Sequence, residues 1–235
     1  MHYVDIADVA KLVAKNHYTV LMIGSRIYET IEKNIYILHK KLLCSTLDQV
    51  KRLLMNDSLI KYLIELAKYE SLVIHDLIGN LVGKGFIDMV ITTCIDGFLP
   101  KVIGGKVIEV LGNIRRFTCV KCGSTVDLNE ALNTKFKCLR CSNFLRPKVL
   151  LKGEGISKSV WSEVLMEISM ADVLLICGLD IIEPITYLPI VAKFSNAKVI
   201  EVLRKGEECL FRDHVVVTDD FLKFFKGLVG YLIAS

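Results

Sequence analysis

Apolar and polar positions alternate with changing period along this chain of 235 residues. Residues 4–14 carry apolar side chains at helical spacing behind Asp5, and residues 18–23 form a short β-rich run that stops at Gly24. From Ile27 to Gly83 the helical period dominates. Segments 47–54, 59–66 and 72–82 follow Ser45-Thr46, Asp57-Ser58 and Ser71, residues whose side chains accept hydrogen bonds from the free amides of a first helical turn. Further on, residues 89–92, 106–110, 173–177, 198–202 and 215–217 are apolar and β-branched at successive positions, the composition of strands covered on both faces. Helical patterns at 159–170, 185–194 and 221–232, the last behind Asp219-Asp220, separate several of them. Such alternation predicts an α/β fold with a doubly wound parallel sheet. Residues 113–150 interrupt it and read as an inserted small module within a large domain of 1–112 and 151–235, with part of the 27–70 helices as candidates to join the module.

Composition narrows the class. A hydrophobic content of 52% suffices for a large core, yet charges break every apolar stretch short of the roughly 18–20 residues that a bilayer span needs. No transmembrane helix is expected, and the N-terminus lacks the regions of a signal peptide, so the expectation is a cytoplasmic, reducing setting. The formal charge of +4 comes from 30 basic and 26 acidic residues spread along the chain, without the concentration typical of a nucleic-acid binder. A single Gln among abundant Ile, Leu, Val, Lys and Glu resembles hyperthermophile composition.

Cys119, Cys122, Cys138 and Cys141 form two C-x2-C pairs separated by fifteen residues. Each pair sits on a tight turn that aims both sulfurs one way, and four thiolates complete the tetrahedral shell of a structural Zn²⁺ with no open position for catalysis. Two disulfides would require an oxidising compartment and a small, core-poor domain, and this chain meets neither condition. Cys44, Cys94, Cys177 and Cys209 are scattered, as expected for core packing.

Open parallel sheets bind ligands beyond the carboxyl ends of their strands. That places candidate sites at Gly24-Ser25-Arg26, Thr93-Cys94-Ile95-Asp96, Leu111-Gly112, Gly178-Leu179-Asp180 and the stretch after Val202. Those segments carry a resemblance. The run VITTCIDGFL (90–99), then GGKVIEVLGN (104–113), the four cysteines, LRPKVLLKGE (145–154) and the stretch 171–202 resemble the sirtuins, zinc-containing NAD-dependent protein deacylases on a Rossmann-like fold. The family patterns V-I-T-Q-N-I-D, V-I-E-L-H-G, the cysteine pairs and L-R-P-x-V-V-x-F-G-E follow in the same order.

The resemblance also exposes replacements. Leu111 stands where the family has its catalytic histidine, and a positioned base contributes about 10²- to 10⁴-fold to rate. Cys94 stands for the Asn and Thr93 for the Gln of Q-N-I-D, while Asp96 matches the acid that recognises the nicotinamide end of the cofactor; the same carboxylate can simply anchor its loop. His75 matches a helix histidine and reads as structural. In the phosphate loop, VLMIGSRIY (20–28) keeps Gly24 but places Arg26 at the second glycine; this side chain obstructs a pyrophosphate, pairs with one, or faces solvent. Gly178-Leu179-Asp180 replaces G-T-S with a carboxylate that repels phosphate, and Glu201 replaces the ribose-binding Asn.

Scaffold positions match and ligand-touching positions do not. The resulting expectation is a sirtuin-like pseudoenzyme that holds Zn²⁺, has lost firm binding of NAD or ADP-ribose, and serves as a binding or assembly subunit for a protein partner or as a homo-oligomer. Its contact surface is expected at an exposed apolar cleft of Met22, Ile23, Cys94, Phe98 and Leu111. If NAD binds, the candidate residues are Gly24, Ser25, Arg26, Asp96, Gly178 and Glu201, and the alternative activities are deacylation, NAD cleavage or ADP-ribosyl transfer, with Cys94 as a low-pKa nucleophile. A third alternative is nucleic-acid binding through Arg115, Arg116, Lys121, Lys135, Lys137, Arg140, Arg146 and Lys148 around the cysteines.

Overall fold

The computed structural model describes residues 2–69, 71–180, 196–209 and 214–233. Its elements in chain order are β1 (His2–Tyr3), α1 (Ile6–Lys15), β2 (Thr19–Ile23), a 3-10 turn (Ser25–Ile27), α2 (Tyr28–Ile31), α3 (Lys33–Leu43), α4 (Leu47–Met55), α5 (Ile60–Ala67) and α6 (Val73–Gly83). There follow β3 (Met89–Thr92), α7 (Leu99–Ile103), β4 (Val107–Glu109), β5 (Gly112–Cys119), β6 (Thr125–Asp127), α8 (Leu128–Asn133) and β7 (Leu145–Val149). The chain then continues through α9 (Lys158–Met170), β8 (Val173–Cys177), β9 (Lys198–Arg204), β10 (His214–Thr218) and α10 (Phe221–Ile233). The helix expected at 185–194 lies outside the described residues.

Seven strands form one parallel sheet in the order β1-β10-β9-β8-β2-β3-β4. The central strands β2 and β8 are buried at all five positions, which is why their sequences are apolar without alternation. Register brings Ile23 beside both Cys177 and Thr92, so the loops beginning at Gly24, Thr93 and Gly178 leave the same edge of the sheet. This is the α/β, Rossmann-like, doubly wound sheet expected. The two-residue β1, paired with β10 at its far edge, has no signal in the apolar pattern.

A second, antiparallel sheet, β6-β5-β7, carries the cysteine pairs. Together these strands mix buried and exposed positions, and hydropathy alone predicts none of them. Gly112 turns the chain from β4 into β5 at φ +72°, and an added Cβ would lie 2.2 Å from the Lys148 carbonyl oxygen, so only glycine fits. Helices α4 and α5 pack against β7 and α8.

Three of the five expected helix caps form, and Ser157 adds one at α9. Asp5, Thr46 with Gln49, Ser157 and Asp220 accept first-turn amides of α1, α4, α9 and α10. Two do not. Asp57 adopts φ +57° and Ser58 Oγ donates to the Leu53 carbonyl, leaving α5 without a side-chain cap. Ser71 donates to Asp76, and the ring Nδ1 of His75 accepts the Leu72 N–H at the start of α6.

Candidate functional site

Two C-x2-C turns, one following β5 and one following α8, bring the sulfurs of Cys119, Cys122, Cys138 and Cys141 within 4.8 Å of one another. Cys119 and Cys141 sulfurs lie 3.4 Å apart and those of Cys122 and Cys138 lie 3.6 Å apart. A tetrahedral metal with bonds of about 2.3 Å sets sulfur–sulfur edges near ~3.8 Å, so the donor set fits such an ion. Ser124 Oγ sits 3.1 Å from both Cys122 and Cys138. Its hydrogen bond holds Cys122 down to about 6 and lowers Cys138 too. Cys141, despite the lowering effect of the Asn143 backbone amide, is pushed up to about 11 by its sulfur neighbours. Four thiolates so close need a cation to coexist.

Along the common edge of the parallel sheet, the polar groups meet one another. Tyr28, first residue of α2, is fully buried and donates its hydroxyl to Asp96 Oδ2 at 2.5 Å. The other carboxylate oxygen of Asp96 accepts the Phe98 N–H at 2.7 Å. His75 Nδ1 accepts the Leu72 N–H, so the ring proton resides on Nε2, which faces the Tyr28 hydroxyl at 3.0 Å. Burial, followed by the Asp96 charge, pushes the Tyr28 hydroxyl well above its usual range, and burial keeps His75 below 6.5. A continuous relay of donors thus runs from Leu72 through His75 and Tyr28 to Asp96, with each partner satisfied. Arg115 closes it from outside, donating to the Asp96, Leu66 and Tyr69 carbonyls and covering the Phe98 ring at 4.5 Å.

The phosphate-loop residues are also engaged within the chain. Gly24 N–H donates to the Cys177 carbonyl at 2.9 Å and Arg26 N–H to the Gly178 carbonyl at 3.0 Å. Ser25 is buried, and Gly178 at φ +63° packs so closely that an added Cβ would lie 2.9 Å from Ile27. The Arg26 guanidinium pairs with Glu29 at 3.3 Å and Glu207 at 2.7 Å, so within the chain its partners are carboxylates. Arg204 binds the same two acids, completing an alternating ring of charge. Burial opposes ionisation of Glu29, but hydrogen bonds from Arg204 and Tyr36 hold it below the usual carboxylate range. Asp180 pairs with Lys40, and Glu201, only 3% exposed, accepts from the Cys209 thiol at 3.1 Å. Between these groups lies a cavity of about 260 Å³ lined by Arg26, Gly178, Asp180, Glu201, Glu207 and Glu208. Among the described residues that line it, acids outnumber cations, and Glu207 and Asp180 are already paired with Arg204 and Lys40.

A larger cavity of about 520 Å³ opens beside Leu111, between the β4–β5 turn, β7 and the start of α9. Glu109 lines it two residues from Leu111 and is bonded to Asn113 at 2.7 Å through Oε2. Its Oε1 is buried with no partner among the described residues, and burial raises its pKa. Arg146 here forks onto Glu154 and donates to the Val149 carbonyl.

Two expectations need correction. Met22, Ile23, Cys94, Phe98 and Leu111 do not form an exposed apolar patch: each is at most 2% exposed, because the strand ends and the 93–98 loop fold under one another. The same burial removes Cys94 from the surface a nucleophile needs. Of the basic residues around the cysteines, Arg115 donates to backbone carbonyls and Arg146 pairs with Glu154. Sequence reasoning missed Tyr28, Glu29, Arg204, Glu207 and Glu109. Glu109 lies inside the matched motif of 104–113, and Tyr28 closes the matched loop of 20–28.

The sequence profile of the Sir2 family matches residues 27–182. Among curated proteins, the chain is 34% identical over 130 residues to NAD-dependent protein deacylase 2 of Pyrobaculum aerophilum, covering 54% of this chain and 52% of that one. It is equally identical over 130 residues to the NAD-dependent protein deacylase of Aeropyrum pernix, covering 54% and 53%. The chain thus spans about half the length of the curated relatives it matches. A solved structure of Sir2 bound to acetylated peptide superposes with a TM-score of 0.83 at 20% identity, covering 99% of this chain and 100% of that one. Sir2Tm bound to a propionylated peptide gives 0.81 at 20%, covering 98% and 99%; both likenesses speak to the fold.

Proposed function

The chain belongs to the Sir2 family, and from that premise we propose that it holds one Zn²⁺ on Cys119, Cys122, Cys138 and Cys141 and acts through binding, without NAD-dependent deacylation in its cleft. One observation carries this reading: the Tyr28 hydroxyl occupies Asp96, the acid that the family resemblance assigns to cofactor recognition, in a fully buried and satisfied relay with His75. A ligand seeking that carboxylate must displace a buried tyrosine. Leu111, set by the resemblance at the histidine, has no proton to exchange. The all-thiolate, four-coordinate donor set fits Zn²⁺, which would serve structurally by tying the two turns together.

The names of the relatives, NAD-dependent protein deacylases, favour a second reading, an active enzyme with a rearranged site. Glu109 is its specific support, since a half-buried carboxyl with one oxygen buried and unpartnered among the described residues and a raised pKa has the properties of a general base. The experiment is nicotinamide release and deacylation with NAD and acetylated peptides. The binding reading expects no turnover above the protein-free control. Turnover that disappears in Glu109→Gln would establish the enzyme reading instead.

A further inference from the structure

A groove of about 710 Å³ runs between α4–α5 and the four-cysteine module. Leu54 and Ile60 line it on the helical side together with Met55 and Ile64, which are 72% and 47% exposed. Phe136 and Phe144 line the opposite side. Lysines edge both walls, Lys51 on α4 and Lys135 and Lys137 on the module, against one acid, Asp57. Among the described residues, none of these lysines is in a salt bridge, whereas Lys40, Lys68, Lys205 and Lys223 are.

An apolar trough with cationic margins on both sides complements a rod that is apolar along one stripe and anionic on both flanks. The wall offers side chains rather than backbone: Phe136 N–H donates to Ala131, Lys137 N–H to Thr134, and the Phe136 carbonyl accepts from Leu145 N–H. An added β-strand therefore finds no open edge along it, and the helix-in-groove mode is the one that fits. We propose that this groove docks an amphipathic helix of a partner protein, with its apolar face on Met55, Ile64, Phe136 and Phe144 and its acidic flanks on Lys51, Lys135 and Lys137. The inference gives the proposed binding role a surface and a partner chemistry. None of the groove's lining residues lines either cleft cavity, so loss of docking and presence of NAD turnover are separate outcomes.

The test uses the full chain with its metal and a labelled helical peptide of about five turns, with Leu on one face and Glu elsewhere. A counterpart with Lys in place of Glu and a single-stranded oligonucleotide complete the set. Fluorescence anisotropy should show the Glu peptide binding at least about tenfold more tightly than the Lys peptide, with affinity falling as salt rises. Ile64→Glu and the double change Lys135→Glu, Lys137→Glu should each weaken it about tenfold or more while leaving metal content and melting temperature unchanged. Equal affinity for the two peptides overturns the proposal. So does binding that the variants do not alter, or binding of the oligonucleotide alone.

Discussion

In the small module, four sulfurs converge within 4.8 Å and only a cation lets them ionise together. In the cleft of the large sheet, Asp96 is met by Tyr28, Glu207 by Arg26 and Arg204, and Asp180 by Lys40. Both regions concentrate chemistry-bearing side chains at loop ends of a rigid sheet. They differ in whether the chain itself completes them. A convergent set lacking its counter-charge calls for an outside ion, whereas a set that pairs internally holds the fold and offers a ligand little. The presence of functional residue types is therefore a weaker guide than their state of satisfaction.

The largest expected effect breaks the first half of this comparison. Replacing Cys122 or Cys138 with Ala, or stripping metal with a strong chelator, should remove the ion and lower the melting temperature by about 10 °C or more, since a structural Zn²⁺ contributes many kcal/mol. Metal analysis beside calorimetry checks both. If fresh protein contains no stoichiometric metal, the module's half of the comparison fails.

Within the cleft, Tyr28→Phe keeps the ring and removes the hydroxyl, leaving Asp96 Oδ2 and His75 Nε2 without that partner. A cost of about 1–3 kcal/mol is expected, readable as a lower denaturation midpoint at constant m. A change under about 0.5 kcal/mol would mean that the relay is not structurally important.

His75 sharpens the same point through pH. Burial lowers its folded pKa below 6.5, so the unfolded chain binds the extra proton first as pH falls. Its contribution is fully present above about pH 6.5 and is lost as pH falls toward the folded pKa, at up to ~1.4 kcal/mol per pH unit. Urea midpoints between about pH 7 and pH 5 in wild type and His75→Asn should show that component only in the wild type.

The smallest effect concerns the partly exposed charge ring. Arg26→Gly leaves Glu29 and Glu207 with Arg204 and should cost about 0.5–1 kcal/mol, less at high salt. The same substitution restores a glycine to the loop. Because the Gly24 amide remains bonded to Cys177, it should not by itself create NAD affinity.

What the sequence reveals follows from range. The cysteine array needs only a spacing of a few residues within each pair. Strands β2, β3, β8 and β9 announce themselves because burial on both faces leaves runs of successive apolar positions with few polar ones. The cleft is opaque for the opposite reason: Tyr28 meets His75 and Asp96 across 47 and 68 positions, and Arg26 meets Glu207 across 181. Only the fold brings those residues together. The same geometry buries the apolar residues that comparison of motifs alone had set on an open surface.

Titration calorimetry of the metal-loaded chain with NAD, at ligand concentrations up to the millimolar range, tests the central claim most directly. The account predicts no saturable heat for wild type, because the carboxylate and loop amides of the cleft are already engaged. Saturable binding in the micromolar range, abolished by Asp96→Ala, would contradict it.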